Sequence, residues 1–161
     1  MNWEKLFVMQ KQLDMYIQSN HALETSVLFD KKVLALLVEI GELANETRCF
    51  KFWSKKGPSE SNVILEEYVD GLHFILSLGI DQDFEPKQID ISTSQADTTA
   101  LFHQVYQAII VFKNEPTNKN YQHLFGLFLR LGQVLGFSET AIMAAYIDKN
   151  EVNYNRQDQN Y

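Results

Sequence analysis

The sequence contains little of what a cross-linked or membrane-spanning protein requires. Among its 161 residues there is one cysteine, Cys49, so neither an internal disulfide nor a cysteine-based zinc site can form. The longest apolar run is far shorter than the roughly 20 residues of a membrane helix. The N-terminal stretch "MNWEKLFVMQKQLD" carries acid and amide groups where a signal peptide would be apolar. We therefore expect a cytoplasmic protein without a membrane partner.

Basic residues are also few. The 14 lysines and arginines oppose 21 aspartates and glutamates, which gives a formal net charge of −7. A nonspecific nucleic-acid surface needs clustered Lys and Arg to contact the phosphate backbone, so we expect no nucleic-acid partner. Small phosphate ligands stay possible, because divalent cations can bridge carboxylate to phosphate.

Alternating apolar and polar residues, the pattern of half-buried strands, are scarce. Apolar residues recur instead at spacings of three and four, and the length suits one core, so we predict a single all-α domain over residues 1–161. About six helices are predicted, at 2–18, from near Asp30, and at 60–78, 96–113, 117–135 and 138–157. Asp30, Ser59 or Ser61, and Ser138 are the expected N-caps, and the polar stretch after Gly79 is expected to be a long loop.

Acidic residues occur in two pairs inside apolar runs. Glu39 and Glu42 lie in "VEIGEL", and Glu67 and Asp70 lie in "EEYVDGL". Residues three apart on a helix project side by side, so each pair could hold one face of a cation. Any one of these acids could be a solvated surface charge. Four of them among apolar neighbours favour a cation site, because an unpaired carboxylate there costs several kcal/mol.

The two pairs can meet only if the chain bends between them. We predict a bend between Glu46 and Ser54, after which the second acidic helix packs antiparallel to the first. Glu46 would then be a further ligand or lie just behind the ligands. Oxygen ligands without a cluster of Cys or His suit Mg²⁺ or Mn²⁺ rather than zinc.

Two further groups of polar residues could contact a ligand. Lys149, Asn153 and Arg156 share one stripe of the last helix and could clamp phosphate oxygens, although a solvated charged face is the alternative. Gln10 and Asp14 share a stripe of the first helix, where an amide and a carboxylate could hydrogen-bond the polar edge of a ligand. The alternative for both is a polar contact at a helix interface.

The acidic pairs form the pattern ExxE, 24 residues, ExxD, with "EIGE" at 39–42 and "EYVD" at 67–70. In this the chain resembles the all-α nucleoside triphosphate pyrophosphatases, which include the MazG-like proteins and the dimeric dUTPases. The segments "MQKQLD", "FKFWSKK", "DGLHFILSLGI" and "YIDKNEVNYNRQDQNY" resemble the dimeric dUTPases in particular.

The resemblance implies a helical bundle that forms a homodimer and hydrolyses dUTP to dUMP and diphosphate with Mg²⁺. It implies Glu39, Glu42, Glu67 and Asp70 as metal ligands. A triphosphate near −4 beside four carboxylates gives a charge of roughly −8, so we expect two or three Mg²⁺ ions, with Mn²⁺ as a possible substitute. Glu39, or Glu42 close behind it, is expected to orient or deprotonate the attacking water.

The resemblance also bears on substrate binding. A position matching Gln10 contributes to the family's base pocket, so Gln10 and Asp14 could distinguish uracil from cytosine. Lys149, Asn153 and Arg156 are expected to bind the phosphates. Trp53 could wall the base pocket and Lys51 could reach phosphate.

Three alternatives stay open. Trp53 could instead be a core or dimer contact. The same chemistry could act on dCTP or another nucleoside triphosphate. The chain could also be a catalytically silent helical binding module.

Overall fold

The computed structural model describes residues 1–21, 28–85 and 97–159. These residues contain six α-helices and no strand, which confirms the all-α prediction. The helices are α1 Trp3–His21, α2 Phe29–Thr47, α3 Ser61–Asp81, α4 Thr98–Asn114, α5 Asn118–Val134 and α6 Glu139–Asp158. Most of the predicted long loop, residues 86–96, lies outside the described residues.

Helix α3 lies at the centre of the bundle. It packs against α1, α2, α5 and α6, while α4 packs on α2 and α5. This position explains its composition, because a helix with neighbours on several sides must be apolar on several faces. Tyr68 of α3 stacks on Phe128 of α5, with ring centroids 4.4 Å apart. Gly132 allows this approach, since a Cβ there would lie 2.6 Å from the Tyr68 ring.

The helix ends confirm one predicted cap and correct the others. The Ser138 side chain accepts a hydrogen bond from the backbone N–H of Ala141 and caps α6, as expected. Asp30 is not a cap, because α2 begins one residue earlier and Leu28 holds the N-cap position. Glu60 holds that position in α3, without a side-chain cap bond, so the expected Ser59 or Ser61 cap was wrong.

The predicted bend follows α2 directly. The helix ends at Thr47, and Arg48 adopts a left-handed conformation with φ of 56°. The Arg48 guanidinium then donates to Ser54 Oγ at 2.7 Å, which ties the turn together. The chain therefore reverses between Glu46 and Ser54, as predicted, and α3 packs along α2.

Within the three described ranges, no helix combines the length and apolar character that crossing a membrane requires.

Candidate functional site

Three carboxylates converge where α2 meets α3. Oxygen atoms of Glu39, Glu67 and Asp70 all lie within 4.8 Å of one another, and we call these residues the acidic cluster. Each side chain is half-buried, which limits how well water can solvate its charge. Three carboxylate oxygens in so small a space are a donor set that hard divalent cations such as Mg²⁺ accept. The residues present therefore fit a divalent metal.

Two other acids of α2 lie outside the acidic cluster. Glu42 is exposed, although its charge still acts on Glu39 and Glu67. The carboxylate of Glu46 accepts a hydrogen bond from Ser59 Oγ, and its backbone carbonyl accepts from the Ser59 N–H at 3.0 Å. Glu46 thus holds the connector to α3. Its proposed role as a further ligand and the ligand role of Glu42 stay predictions.

Burial and mutual repulsion raise the pKa values of the acidic cluster. Burial, followed by the charges of Asp70, Glu42 and Glu67, raises the pKa of Glu39 to about 7. Burial is also the main cause that raises the pKa values of Glu67 and Asp70. A bound cation would lower these pKa values, since it stabilises the charged form of each carboxylate.

Lys149 of α6 supplies one positive charge to this region. Its Nζ lies 2.7 Å from Asp70 Oδ2 and 2.9 Å from Glu66 Oε1, and its side chain is 11% exposed. Burial opposes the charged form of Lys149, but the hydrogen bonds to Asp70 and Glu66 outweigh it and raise its pKa. Lys149 is therefore a cation at neutral pH, positioned at the edge of the acidic cluster.

A cleft of about 360 Å³ opens beside the acidic cluster, between α1, α2, α3 and α6. Seven of the residues predicted from the sequence line it: Gln10, Asp14, Glu39, Asp70, Lys149, Asn153 and Arg156. The structure thus brings together the amide of α1, three acids from α1, α2 and α3, and the stripe of α6, which the sequence placed on separate helices.

Lys51 and Trp53 lie on the connector between α2 and α3 and do not line this cleft. Lys51 Nζ donates to Asn45 Oδ1 at 2.5 Å. Trp53 is 65% exposed and makes an edge contact with Phe52, with centroids 5.0 Å apart. Such exposure excludes a core role for Trp53 within this chain. The substrate contacts of Lys51 and Trp53 stay predictions.

One wall of the cleft is a buried polar network. Gln10 Nε2 donates to Asp14 Oδ1 at 2.8 Å, and Ser77 Oγ donates to Asp14 Oδ2 at 2.6 Å. Gln10 Oε1 lies 2.6 Å from Tyr146 OH and 2.7 Å from His73 Nδ1. His73 is 5% exposed, and burial together with the charge of Lys149 lowers its pKa to about 3, so it is neutral at pH 7.

Ser77, Tyr146 and Lys32 were not identified from the sequence. Lys32 Nζ lies 2.7 Å from Asp81 Oδ2 and 3.8 Å from Asp14 Oδ2. One signal was available for Ser77, because it lies four residues after His73 and so on the same face of α3. Tyr146 likewise lies three residues before Lys149, on the same stripe of α6. Nothing in the spacing identified Lys32, whose partners lie on other helices.

A family model described as dUTPase matches residues 2–161. The matched range includes both acidic pairs, the connector between them and the polar stripe of α6. Among curated proteins, none matches the chain.

Proposed function

The chain belongs to the family of dimeric all-α dUTPases, and from that premise we propose that it hydrolyses dUTP to dUMP and diphosphate with Mg²⁺. The observation that carries the proposal is the shared cleft, in which Glu39 and Asp70 of the acidic cluster, the cations of α6 and the Gln10 amide meet. A site for a nucleoside triphosphate needs a polar group that binds the base and positive charges that bind the phosphates. The cleft offers Gln10 for the base, and Lys149 and Arg156 for the phosphates.

The acidic cluster would hold the metal, with Glu42 as a fourth ligand and two or three ions per site as we expect from charge. When bound, Mg²⁺ neutralises phosphate charge and lowers the pKa of water, which favours hydrolysis at neutral pH. Glu39 is the best candidate for the general base. A carboxylate with a pKa of about 7 is well matched to accept a proton from the attacking water at neutral pH.

The stripe of α6 would bind the phosphates. Lys149, Asn153 and Arg156 all line the cleft. The Arg156 charge also acts on Asp70, which supports a position close to the acidic cluster. An arginine there can hold two phosphate oxygens at once and stabilise the charge that develops as diphosphate leaves.

We further propose a homodimer. Leu34 and Val38 are exposed apolar residues one turn apart on α2, and Ile110 and Val111 are exposed on the neighbouring α4. Exposed apolar side chains on two adjacent helices form a surface that a second copy could cover. Light scattering should give twice the 18.7 kDa chain mass, and Leu34→Asp should reduce it toward the monomer value.

A panel of deoxynucleoside triphosphates, each with Mg²⁺ and with EDTA, tests the proposed reaction. We expect dUTP to be cleaved fastest, diphosphate to be released in equal amount to dUMP, and EDTA to stop turnover. Fast dCTP cleavage with negligible dUTP cleavage would reject the substrate and favour the dCTP alternative. No turnover of any nucleotide, with Glu39→Gln behaving as wild type, would favour a silent binding module.

A further inference from the structure

The hydrogen bonds around Gln10 determine which way its side-chain amide faces. Asp14, which accepts from the Gln10 amide nitrogen, offers only oxygen acceptors when ionised. Tyr146 OH and His73 Nδ1 approach the other end of the amide at 2.6 and 2.7 Å. A flipped amide would set its oxygen against the Asp14 carboxylate and would lose the bond to Asp14. The orientation is therefore fixed by its neighbours.

This orientation determines what Gln10 can offer a ligand. Its oxygen accepts from the Tyr146 hydroxyl and also contacts His73 Nδ1, whereas its nitrogen has two hydrogens and gives one of them to Asp14. The second N–H is therefore the hydrogen-bond donor that Gln10 can offer to a ligand. Gln10 lines the cleft, so this donor is available to a bound molecule.

Tyr146 maintains the orientation without itself reaching the ligand. It is fully buried and is not among the residues that line the cleft. Its ring stacks on His73 with centroids 4.0 Å apart and planes inclined by 16°, which holds both donors against the same oxygen. Tyr146 is thus a positioning residue that acts through Gln10.

We propose that Tyr146 and Asp14 lock the Gln10 amide with an N–H donor facing the base, and that this lock selects uracil over cytosine. The inference rests on the proposed hydrolysis of dUTP. At position 4 uracil carries a carbonyl that accepts a hydrogen bond, whereas cytosine carries an amine that donates. Cytosine would therefore set a donor against a donor, and a site with a buried polar group left unpaired discriminates strongly.

The variant Tyr146→Phe tests the lock, because it keeps the ring on His73 and removes only the hydroxyl. We expect the ratio of kcat/KM for dUTP to that for dCTP to fall about tenfold, mainly through a higher KM for dUTP, since the freed amide can rotate. Tyr154→Phe is the matched control. It makes the same change two turns along α6, where Tyr154 contacts Tyr16. Its ratio should equal that of wild type.

Gln10→Glu provides an independent measurement if Tyr146→Phe folds poorly. A carboxylate keeps an acceptor for Tyr146 and His73 but offers no N–H, so the ratio should fall about 100-fold and dCTP turnover should rise relative to dUTP.

Unchanged ratios in both variants, with a wild-type enzyme that prefers dUTP, would overturn the lock and leave the proposed function intact. A wild-type protein that cleaves no dUTP would instead reject the proposed function itself.

Discussion

Lys149 Nζ lies 2.7 Å from Asp70 Oδ2, so a cation of α6 is held against a carboxylate that also belongs to the acidic cluster. The pair joins the last helix to the central one and places positive charge beside three acids that repel each other. Lys149 therefore contributes both to the stability of the fold and to the charge balance of the cleft.

Removing this cation should destabilise the metal-free protein. With EDTA present, Lys149→Met should lower the free energy of unfolding by about 1–3 kcal/mol, because Asp70 loses a charge-assisted hydrogen bond in a partly buried place. Urea denaturation measures the change. Lys113→Met is the control, since Lys113 pairs with the exposed Asp30 at 3.4 Å and a surface pair contributes about 0–1 kcal/mol. Equal losses in both variants would contradict a special role for Lys149.

The acidic cluster should determine metal affinity. Glu67→Gln exchanges a carboxylate oxygen for a neutral amide oxygen, so we expect the Kd for Mg²⁺ to rise about tenfold or more, measured by calorimetric titration. Glu60→Gln is the control at the N-cap of the same helix, two turns before Glu67, where the acid is exposed and outside the cluster. It should bind Mg²⁺ like the wild type. A similar loss in both variants would mean that general negative charge, and not the cluster, attracts the ion.

Much of the fold followed from the sequence because apolar residues recur at spacings of three and four and breakers separate most of the helices. The bend after α2 was predictable for a geometric reason, since the two acidic pairs could not align without it. The cap of α3 was not, because the connector that precedes this helix is positioned by tertiary contacts, and Leu28 holds the N-cap of α2 in place of Asp30. The bond from Ser59 to Glu46 is one such contact, and it uses a serine expected to cap α3.

The site residues were predictable where spacing along one helix determines their position. They were less predictable where packing between helices determines it. Glu39 and Glu42 are neighbours on α2, yet only Glu39 joins the cluster. At about 100° per residue, Glu39 lies roughly 60° from the centre of the buried stripe Leu36, Ile40 and Leu43, whereas Glu42 lies about 130° away. The network around Gln10 was harder to predict, because Tyr146 reaches it across 136 residues of chain.

Trp53 should report on nucleotide binding if it walls the base pocket. The protein has two tryptophans, so Trp3→Phe leaves Trp53 as the only one. Trp3 packs edge-on against Phe125, with ring centroids 4.8 Å apart, and a phenylalanine at position 3 keeps an aromatic contact there. A nonhydrolysable imido analogue of dUTP should shift Trp53 emission to shorter wavelength, because a base covers a ring that is now 65% exposed. Inorganic triphosphate, which lacks a base, is the control ligand.

A second measurement on the same residue uses kinetics. Trp53→Ala should raise the KM for dUTP about tenfold with little change in melting temperature, since an exposed side chain contributes little to the core. Unchanged emission on binding, together with an unchanged KM, would place Trp53 outside the substrate site.

The raised pKa of Glu39 should make the metal-free protein less stable as pH rises. The folded state holds the Glu39 proton up to a pKa of about 7, whereas the unfolded chain releases it near 4.5. The penalty for ionising Glu39 is therefore absent below pH 4.5 and grows until about pH 7. With EDTA present, Glu39→Gln should melt about 2–4 °C above wild type at pH 8, and the difference should shrink toward pH 5.

Mg²⁺ should stabilise the wild type more strongly as pH rises, because protons and the cation compete for the same carboxylates. We expect saturating Mg²⁺ to raise the melting temperature of the wild type more at pH 8 than at pH 5.5. In Glu39→Gln the increase with Mg²⁺ should be small at both pH values. Glu60→Gln, which changes an exposed acid, should follow the wild type at every pH. If the difference in melting temperature between Glu39→Gln and wild type did not vary with pH, Glu39 would ionise in the folded protein as easily as in the unfolded chain. The repulsion inside the acidic cluster would then be too weak to favour a bound cation.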